Sequence, residues 1–300
     1  MDKKDKIRKF AARRPDAKAV FGYGSGVFKQ GSISGNPQTD VIFVVDDIRR
    51  WHEDNMSCNS ADYSFIGRLH LSSDNIGKIK GRNFVTYFSG VKEDDARFKY
   101  GVVETSDFNR GLLTWDNMFL VGRFHKPVLD INDEDVFEEV IKKNREGAFM
   151  IACLLCNSIT DKETVFRKLC SLSYMGDARM KFAESPTKVA DIVKGAYKNF
   201  EHIYTFREPY VKVLTNGSVL IDHDYILHQI DKLPCSLVDY LAEMDTDLND
   251  IEMVRTNILK FIVQHNRSES RAQIFEGLKT NGIVRSVPYV FCKIRKKIGK

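Results

Sequence analysis

The chain has no run of eighteen apolar residues, which is about the shortest length for a helix that crosses a bilayer. Its most apolar segment, residues 148–159, is too short to span and is typical of a core helix. With 29% charged and 43% apolar residues, the composition excludes a disordered chain and indicates an ordinary globular protein. Three hundred residues predict one large domain or two modest ones.

Cysteine is sparse, and its six positions show no spacing typical of a disulfide framework, which suits a reducing compartment. Cys153 and Cys156 form a C-x-x-C pair, a pattern that elsewhere binds zinc or performs redox chemistry. Here the pair lies in an apolar helical pattern without a second pair of ligands. We therefore predict two core cysteines.

The first twenty residues lack serine and lack the apolar core of a secretory signal. Asp2 and Asp5 lie among their basic residues, whereas a mitochondrial presequence is rich in Arg and Ser and poor in acids. The pattern therefore argues against a presequence. It predicts a helix up to Arg14, ended by Pro15.

What the chain does contain is a glycine-rich turn between two apolar segments, AVFGYGSGVFKQ and QTDVIFVVDD. Val20 and Phe21 end a predicted buried strand, residues 22–26 form a tight turn, and Asp40 opens a second strand over 41–45. A glycine turn lets backbone N–H groups approach a phosphate because no Cβ intrudes, and Ser25 adds a hydroxyl. Asp40 is placed to bring a carboxylate to Mg²⁺.

This arrangement is typical of a nucleotidyltransferase, although glycine turns occur in many folds and an Asp before a strand is often a turn residue. One expected feature is missing. The position two residues after Asp40, where a polymerase-type transferase carries a second carboxylate on the same strand face, is Ile42. The metal site thus has one firm ligand, with Asp46, Glu104 or substrate oxygens as candidates for the others.

Further along the chain, residues 83–91 and 97–104 alternate as paired strands, and Lys99 leads the second. Asp47 is placed to cap a helix that carries W-H-x-x-N over 51–55. Arg123 and Lys126 lie three apart, and such cations neutralise a triphosphate and its departing pyrophosphate. The competing interpretations are that Lys99 is an exposed strand lysine and that Arg123 and Lys126 form structural salt bridges.

The second half of the chain has a helical pattern from about residue 133, with short helices predicted over 164–171 and 187–194. Asp177 and Arg179 lie between these helices, either as a self-contained ion pair or as part of the site. Residues 217–250 have a mixed pattern that predicts no single structure.

The last thirty residues are basic, with eight Lys or Arg against Glu276, a net charge of +7 that leaves −2 for the rest of the chain. Apolar residues recur at helical spacing beside these cations, which is typical of a helix lying on an anionic membrane. A nucleic-acid-binding tail would be as basic but would not need the apolar face. The predicted membrane residues are Arg285, Phe291, Lys293, Arg295, Lys296 and Lys297.

Longer motifs follow one another in a recognisable order. They are FGYGSGVFKQ, W-H-x-x-N, KYGVV over 99–103, W-x-x-M-x-x-x-G-R-x-x-K-P-V over 115–128 and L-S-Y-x-G-D-x-R over 172–179. Together they resemble the mitochondrial-type phosphatidate cytidylyltransferases, the peripheral CDP-diacylglycerol synthases of the translocator assembly and maintenance family. The resemblance covers nearly the whole chain.

The resemblance implies an α+β fold with three parts. A polymerase-beta-like nucleotidyltransferase domain spans 1–130, a helical winged-helix-like domain 131–265, and a basic amphipathic C-terminal segment 266–300. It also implies transfer of CMP from CTP to phosphatidic acid, with Mg²⁺ as cofactor. The catalytic residues are then Asp40, Lys99 and Asp177, with Asp40 as metal ligand. The nucleotide-binding residues are Gly22, Tyr23, Gly24, Ser25, Arg123, Lys126 and Arg179.

Two other functions stay open from the sequence. A nucleotidyltransferase acting on a different acceptor would share the glycine turn, and a non-catalytic membrane adaptor would keep the basic C-terminus. We expect CTP, phosphatidic acid and an anionic membrane surface as partners, and no nucleic acid. The expected location is the cytoplasmic face of a bacterial membrane, with the matrix side of the mitochondrial inner membrane as the alternative.

Overall fold

A mixed sheet of five strands carries the glycine turn at one end. The computed structural model describes residues 2–28, 38–63, 85–177, 179–182, 185–206 and 208–272. The strands lie in the order β3-β4-β2-β1-β5, where β2 and β4 run parallel and the other neighbours antiparallel. Their bounds are β1 Ala19–Tyr23, β2 Thr39–Val45, β3 Thr86–Glu93, β4 Ala96–Glu104 and β5 Leu129–Asp130.

Helices surround this sheet and form most of the second half of the described chain. They are α1 Lys3–Ala11, α2 Ile48–Cys58, α3 Thr105–Thr114, α4 Met118–Phe124, α5 Glu138–Leu154, α6 Lys162–Ser171, α7 Arg179–Phe182, α8 Lys188–Ile203, α9 His223–Leu227, α10 Cys235–Glu243 and α11 over 251–272. A second sheet pairs β6 Ile159–Thr160 and β7 Val211–Val213 with β8 Val219–Ile221 between them. The predicted α+β class is confirmed.

The two faces of the large sheet bury different cores, because successive side chains of a strand point to opposite faces. Val41 and Phe43 of β2 pack with α1 and α2 on the outer face. Ile42 and Val44 pack on the inner face in a cluster that continues through α3–α6, α8, α10 and α11. Asp40 has the same parity as Ile42 and therefore belongs to the inner face.

Most of the elements predicted from local patterns are confirmed, with shifted ends. The predicted N-terminal helix ends at Ala11, and Asp47 caps α2 by accepting a hydrogen bond from the Arg50 N–H. The predicted core helix over 148–159 is too long, since α5 ends at Leu154 and Ile159 lies exposed in β6.

Both cysteines of the C-x-x-C pair are buried and free, as predicted. Burial raises the pKa of the Cys156 thiol to about 11, so this thiol is not prepared for nucleophilic or redox chemistry.

The Trp51, His52 and Asn55 side chains of the W-H-x-x-N motif on α2 are buried on the outer face of the sheet. Asn55 Nδ2 donates to the hydroxyls of Tyr63 and Tyr100, at 2.8 and 3.1 Å, and His52 Nδ1 lies 3.0 Å from the Tyr63 hydroxyl. Burial lowers the pKa of His52 to about 3, so the ring is neutral. These side chains hydrogen-bond one another beneath the sheet. Because Asp40 belongs to the opposite face, the motif does not line the site described next.

Candidate functional site

Three neighbouring strands place the first residues of the site side by side. In the sheet register Tyr23 on β1 lies opposite Asp40 on β2, and Asp40 lies beside Lys99 on β4. Directly paired residues of neighbouring strands project from the same face. The predicted carboxylate and the predicted strand lysine are therefore adjacent on the inner face.

The glycine turn closes tightly against Asp40. Gly24 has φ +73°, in the left-handed region that favours glycine, and a Cβ added there would lie 3.0 Å from Asp40 Oδ2. The carbonyl of Gly24 accepts hydrogen bonds from the N–H groups of Val27 and Phe28, so the chain turns helically at this point. Ser25 lies half-buried in the same turn.

Gly22 and Tyr23 are the last residues of β1 rather than part of the turn. A Cβ on Gly22 would lie 2.5 Å from Ile7 Cδ1 of α1, so the missing side chain makes room for the outer core. We therefore leave Gly22 out of the site, whereas Tyr23 faces it.

Arg123 of α4 reaches over the inner face of the sheet toward Asp40. Its guanidinium hydrogen-bonds the Tyr23 hydroxyl and the Phe119 carbonyl, and the Asp40 charge acts on it. Its Cζ lies 5.0 Å from the centre of the Tyr87 ring, and Lys99 Nζ lies 4.9 Å from the same ring. The Tyr87 ring on β3 thus supports both cations next to the carboxylate.

Lys126, just beyond α4, is held by the loop that follows α6. Its Nζ donates to Ser173 Oγ at 2.6 Å. The loop can approach closely because Gly122 has no side chain, since a Cβ there would lie only 2.3 Å from Ser173 Cβ. Burial lowers the pKa of Lys126 to about 8, and the positive charges of Arg123 and Arg179 act in the same direction. Bringing a polyanion to these cations would relieve their repulsion.

Arg179 joins the same group of cations from the second half of the chain. Its Cζ lies 4.6 Å from the centre of the Phe119 ring, which also packs on Arg123. Asp177 is 4% exposed and accepts hydrogen bonds from the Arg179 backbone N–H, Nε and Nη2. This geometry makes Asp177 the partner that orients Arg179, and it favours that role over the catalytic role predicted from sequence.

Asp40 is the carboxylate whose position suits metal binding. In the described ranges no three His, Cys, Asp or Glu side chains group around one point. Asp46 and Glu104, the predicted further ligands, lie too far from Asp40 to bind the same metal ion. Glu104 pairs with Val45, the residue before Asp46, and this pair lies five residues along the strands from the Asp40–Lys99 pair. That separation is about 16 Å at ~3.3 Å per residue.

The site nevertheless fits Mg²⁺, which is commonly bound by one or two carboxylates together with substrate phosphates. The glycine turn lies against Asp40 Oδ2, Lys99 is the neighbour of Asp40 in the sheet, and the Asp40 charge acts on the Arg123 guanidinium. Of the residues predicted from the sequence pattern and from the family resemblance, the structure brings Gly24, Lys99 and Arg123 to Asp40, with Ser25 in the same turn, and groups Lys126 and Arg179 with Arg123. Sequence analysis missed the aromatic supports Tyr87 and Phe119, because their role depends on packing across elements.

The predicted membrane residues, from Arg285 to Lys297, lie outside the described residues. Within the part of the chain that the structure describes, no helix is long and apolar enough to cross a bilayer.

Comparisons with known proteins identify the family of this chain. A family model described as "Phosphatidate cytidylyltransferase, mitochondrial" matches residues 6–296. A Rattus norvegicus protein of the same name is 33% identical over 333 residues, covering 97% of this chain and 94% of the rat protein. A Schizosaccharomyces pombe protein, also of that name, is 31% identical and covers 92% of this chain and 79% of its own length. This chain therefore belongs to the mitochondrial phosphatidate cytidylyltransferase family.

Proposed function

We propose that this chain is a phosphatidate cytidylyltransferase, which transfers CMP from CTP to phosphatidic acid and releases pyrophosphate. The observation that carries the proposal is the Asp40 carboxylate, packed against a glycine turn beside Lys99 and Arg123, with Lys126 and Arg179 grouped next to Arg123. Family membership names the reaction, and this geometry supports the proposed way in which the chain performs it.

The nucleophile is a phosphate monoester whose second pKa is about 6, so near pH 7 it is already mostly dianionic. The site therefore needs no general base, and the absence of a carboxylate at Ile42 costs the reaction nothing. The main obstacle is the repulsion between two polyanions. Arg123, Lys126 and Arg179 oppose it, since guanidinium and ammonium groups pair with phosphate oxygens.

Each side chain has a proposed part in this arrangement. The turn at Gly24 and Ser25 cradles the triphosphate with backbone N–H groups and a hydroxyl. Lys99 and Arg123 flank the reacting phosphorus and the leaving pyrophosphate, which fixes the in-line geometry. Asp40 would hold Mg²⁺, which when bound neutralises charge on the triphosphate.

The finer architecture is also part of the proposal. A sheet with a parallel central pair and a glycine turn supports a nucleotidyltransferase domain over 1–130. The β7–β8 hairpin, whose Val211, Val219 and Ile221 share a core with α6 and α8, supports a winged-helix-like domain over 131–265. The inner-face core runs through both parts, and Arg179 of the second part packs on Phe119 of the first.

We further propose that the chain works as a peripheral protein on an anionic membrane, through residues 266–300. The comparisons give no support to a bacterial location. The relatives are mitochondrial enzymes by name, which favours the alternative of the mitochondrial inner membrane, matrix side.

The test is incubation of the purified protein with radiolabelled CTP, Mg²⁺ and vesicles that contain phosphatidic acid. We expect labelled CDP-diacylglycerol and one pyrophosphate per CMP transferred. Pyrophosphate release with a different labelled product would identify another acceptor. Vesicle binding without any product would identify a membrane adaptor and contradict the proposal.

Removal of residues 281–300 is expected to lower activity on vesicles sharply. The truncation deletes six of the eight cations of the last thirty residues, and each contributes roughly 1 kcal/mol of attraction to an anionic surface before screening. CTP binding in solution should survive, and a short-chain, water-soluble phosphatidic acid should restore part of the rate. Vesicle co-sedimentation and calorimetry measure the two effects. Loss of CTP binding would instead mean that the segment stabilises the fold.

A further inference from the structure

A buried carboxylate of α11 binds the start of the helix that carries Arg123. Glu269 is 5% exposed, and its Oε1 and Oε2 accept hydrogen bonds from the N–H groups of Met118 and Phe119 at 2.7 and 2.8 Å. Asn117 caps the same turn by accepting from the Leu120 N–H at 3.1 Å. The first N–H groups of α4, which have no partner within a helix, are thus satisfied by a residue 150 positions away along the chain.

The same helix also holds the other cationic segment. Asn266, three residues before Glu269, donates to the carbonyls of Leu172 and Met175 at 2.7 and 2.8 Å. Gly176 lies so close to α11 that an added Cβ would be 2.6 Å from the Val263 carbonyl oxygen. One face of α11 therefore fixes both the segment with Arg123 and Lys126 and the loop that leads to Arg179.

Glu269 touches neither Asp40 nor the glycine turn, so it is not placed to contact substrate. Its charge nevertheless belongs to the electrostatics of the site, since Arg123 acts on Glu269 and Glu269 acts on Tyr87. The charge of Asp116, in the loop before α4, also acts on Glu269. A neutral side chain could satisfy only part of this arrangement.

We propose that Glu269 is a positioning residue for nucleotidyl transfer, whose carboxylate sets α4 so that Arg123 faces the phosphates next to Asp40. The proposal rests on the proposed function, because it assigns Arg123 to the departing pyrophosphate. Positioning of a group that acts on the transition state affects kcat more than the binding of CTP.

The pH dependence gives this role a signature. Burial raises the pKa of Glu269 to about 7, against the opposing effect of the two N–H groups. A raised carboxyl pKa means that the folded chain holds this proton more tightly than the unfolded chain. The contribution of Glu269 to stability is therefore greatest at low pH and is lost as the pH rises toward 7. The proposed positioning role, in contrast, requires Glu269 to be ionised.

The experiment compares the wild-type chain with E269Q, and uses E252Q as a control on the same helix, where Glu252 is exposed. Protonated Glu and Gln are both neutral and nearly equal in shape. We expect the ratio of wild-type to E269Q kcat to be near one below about pH 6 and to rise to about tenfold above pH 8, because a charge-assisted bond is then lost. The ratio cancels the ionisation of phosphatidic acid itself.

Two further measurements separate positioning from a purely structural role. The KM for CTP should change by less than about threefold, and the thermal midpoint of E269Q relative to wild type should rise with pH while its relative kcat falls. E252Q should match wild type throughout. A pH-independent ratio, or a loss of activity that follows a loss of stability, would overturn the inference. An inactive wild-type chain would instead refute the proposed function.

Discussion

Replacing Asp40 by Asn is expected to abolish turnover while the chain stays folded. The substitution keeps the shape of the side chain but removes the charge that would hold Mg²⁺ between Gly24, Lys99 and Arg123. Lewis-acid stabilisation by a metal is worth several kcal/mol, and each ~1.4 kcal/mol is a factor of ten in rate. We therefore expect a fall in kcat of at least about a hundredfold.

A binding measurement makes the prediction independent of turnover. In the wild-type chain, Mg²⁺ should strengthen CTP binding in calorimetry, because Asp40 would help to hold the ion that the phosphates also bind. In D40N this gain should disappear, while binding without Mg²⁺ should be unchanged or tighter, because a negative charge has left the group of cations.

Asp46→Asn is the matched control, since Asp46 lies at the other end of β2, where it accepts a hydrogen bond from Thr105 Oγ1 at 2.9 Å. It should keep wild-type activity and Mg²⁺ dependence. Retention of more than about a tenth of the activity by D40N, at unchanged thermal stability, would remove Asp40 from the mechanism.

The part of the site that sequence patterns predict is the part encoded locally. A glycine turn between two apolar segments and a strand-leading Asp40 can be identified because turn chemistry and strand alternation act over a few residues. The capping role of Asp47 was predicted for the same reason. Lys99 could be predicted as a strand residue, but its place beside Asp40 depends on the parallel register of β2 and β4.

The rest of the site depends on contacts between distant segments. Glu269 and Met118 are 151 positions apart, and no local pattern pairs them. Asp46 and Glu104 were sensible candidates by composition, yet the strand register carries them away from Asp40. The sequence predicts Gly22 in the turn, but β1 continues through Tyr23. Gly22 stays in the strand because Ile7 of α1 packs against it, a contact that no local pattern indicates.

The four cations of the candidate site come from three separate parts of the chain. Lys99 comes from the sheet, Arg123 and Lys126 from α4 and the residue stretch beyond it, and Arg179 from the second half. Burial lowers the pKa of Lys126, and repulsion by the charges of Arg123 and Arg179 lowers it further. The fold tolerates this repulsion because Tyr87, Phe119, Asp177 and Glu269 hold the cations in place. A site organised in this way is prepared for a polyanion before the polyanion arrives.

Replacing Gly24 by Ala is expected to weaken CTP binding far more than it weakens the fold. Two effects arise at this position. The left-handed backbone costs any other residue roughly 1–2 kcal/mol, and the new Cβ would lie 3.0 Å from Asp40 Oδ2. Moving a reacting group by about 1 Å can cost a hundredfold in rate. We therefore expect at least about a tenfold loss of CTP affinity in the presence of Mg²⁺ and a larger loss in kcat/KM.

Gly90 provides a control that separates strain from the site. Its φ is +74°, close to the +73° of Gly24, but an added Cβ there would have nothing within 4 Å. Gly90→Ala should therefore lower the thermal midpoint about as much as Gly24→Ala and leave CTP binding unchanged, as measured by calorimetry with Mg²⁺. If the two variants bind CTP equally well, the turn does not cradle the triphosphate. If both lose affinity together, backbone strain in the sheet explains the loss, and the close approach of the turn to Asp40 has no role in binding.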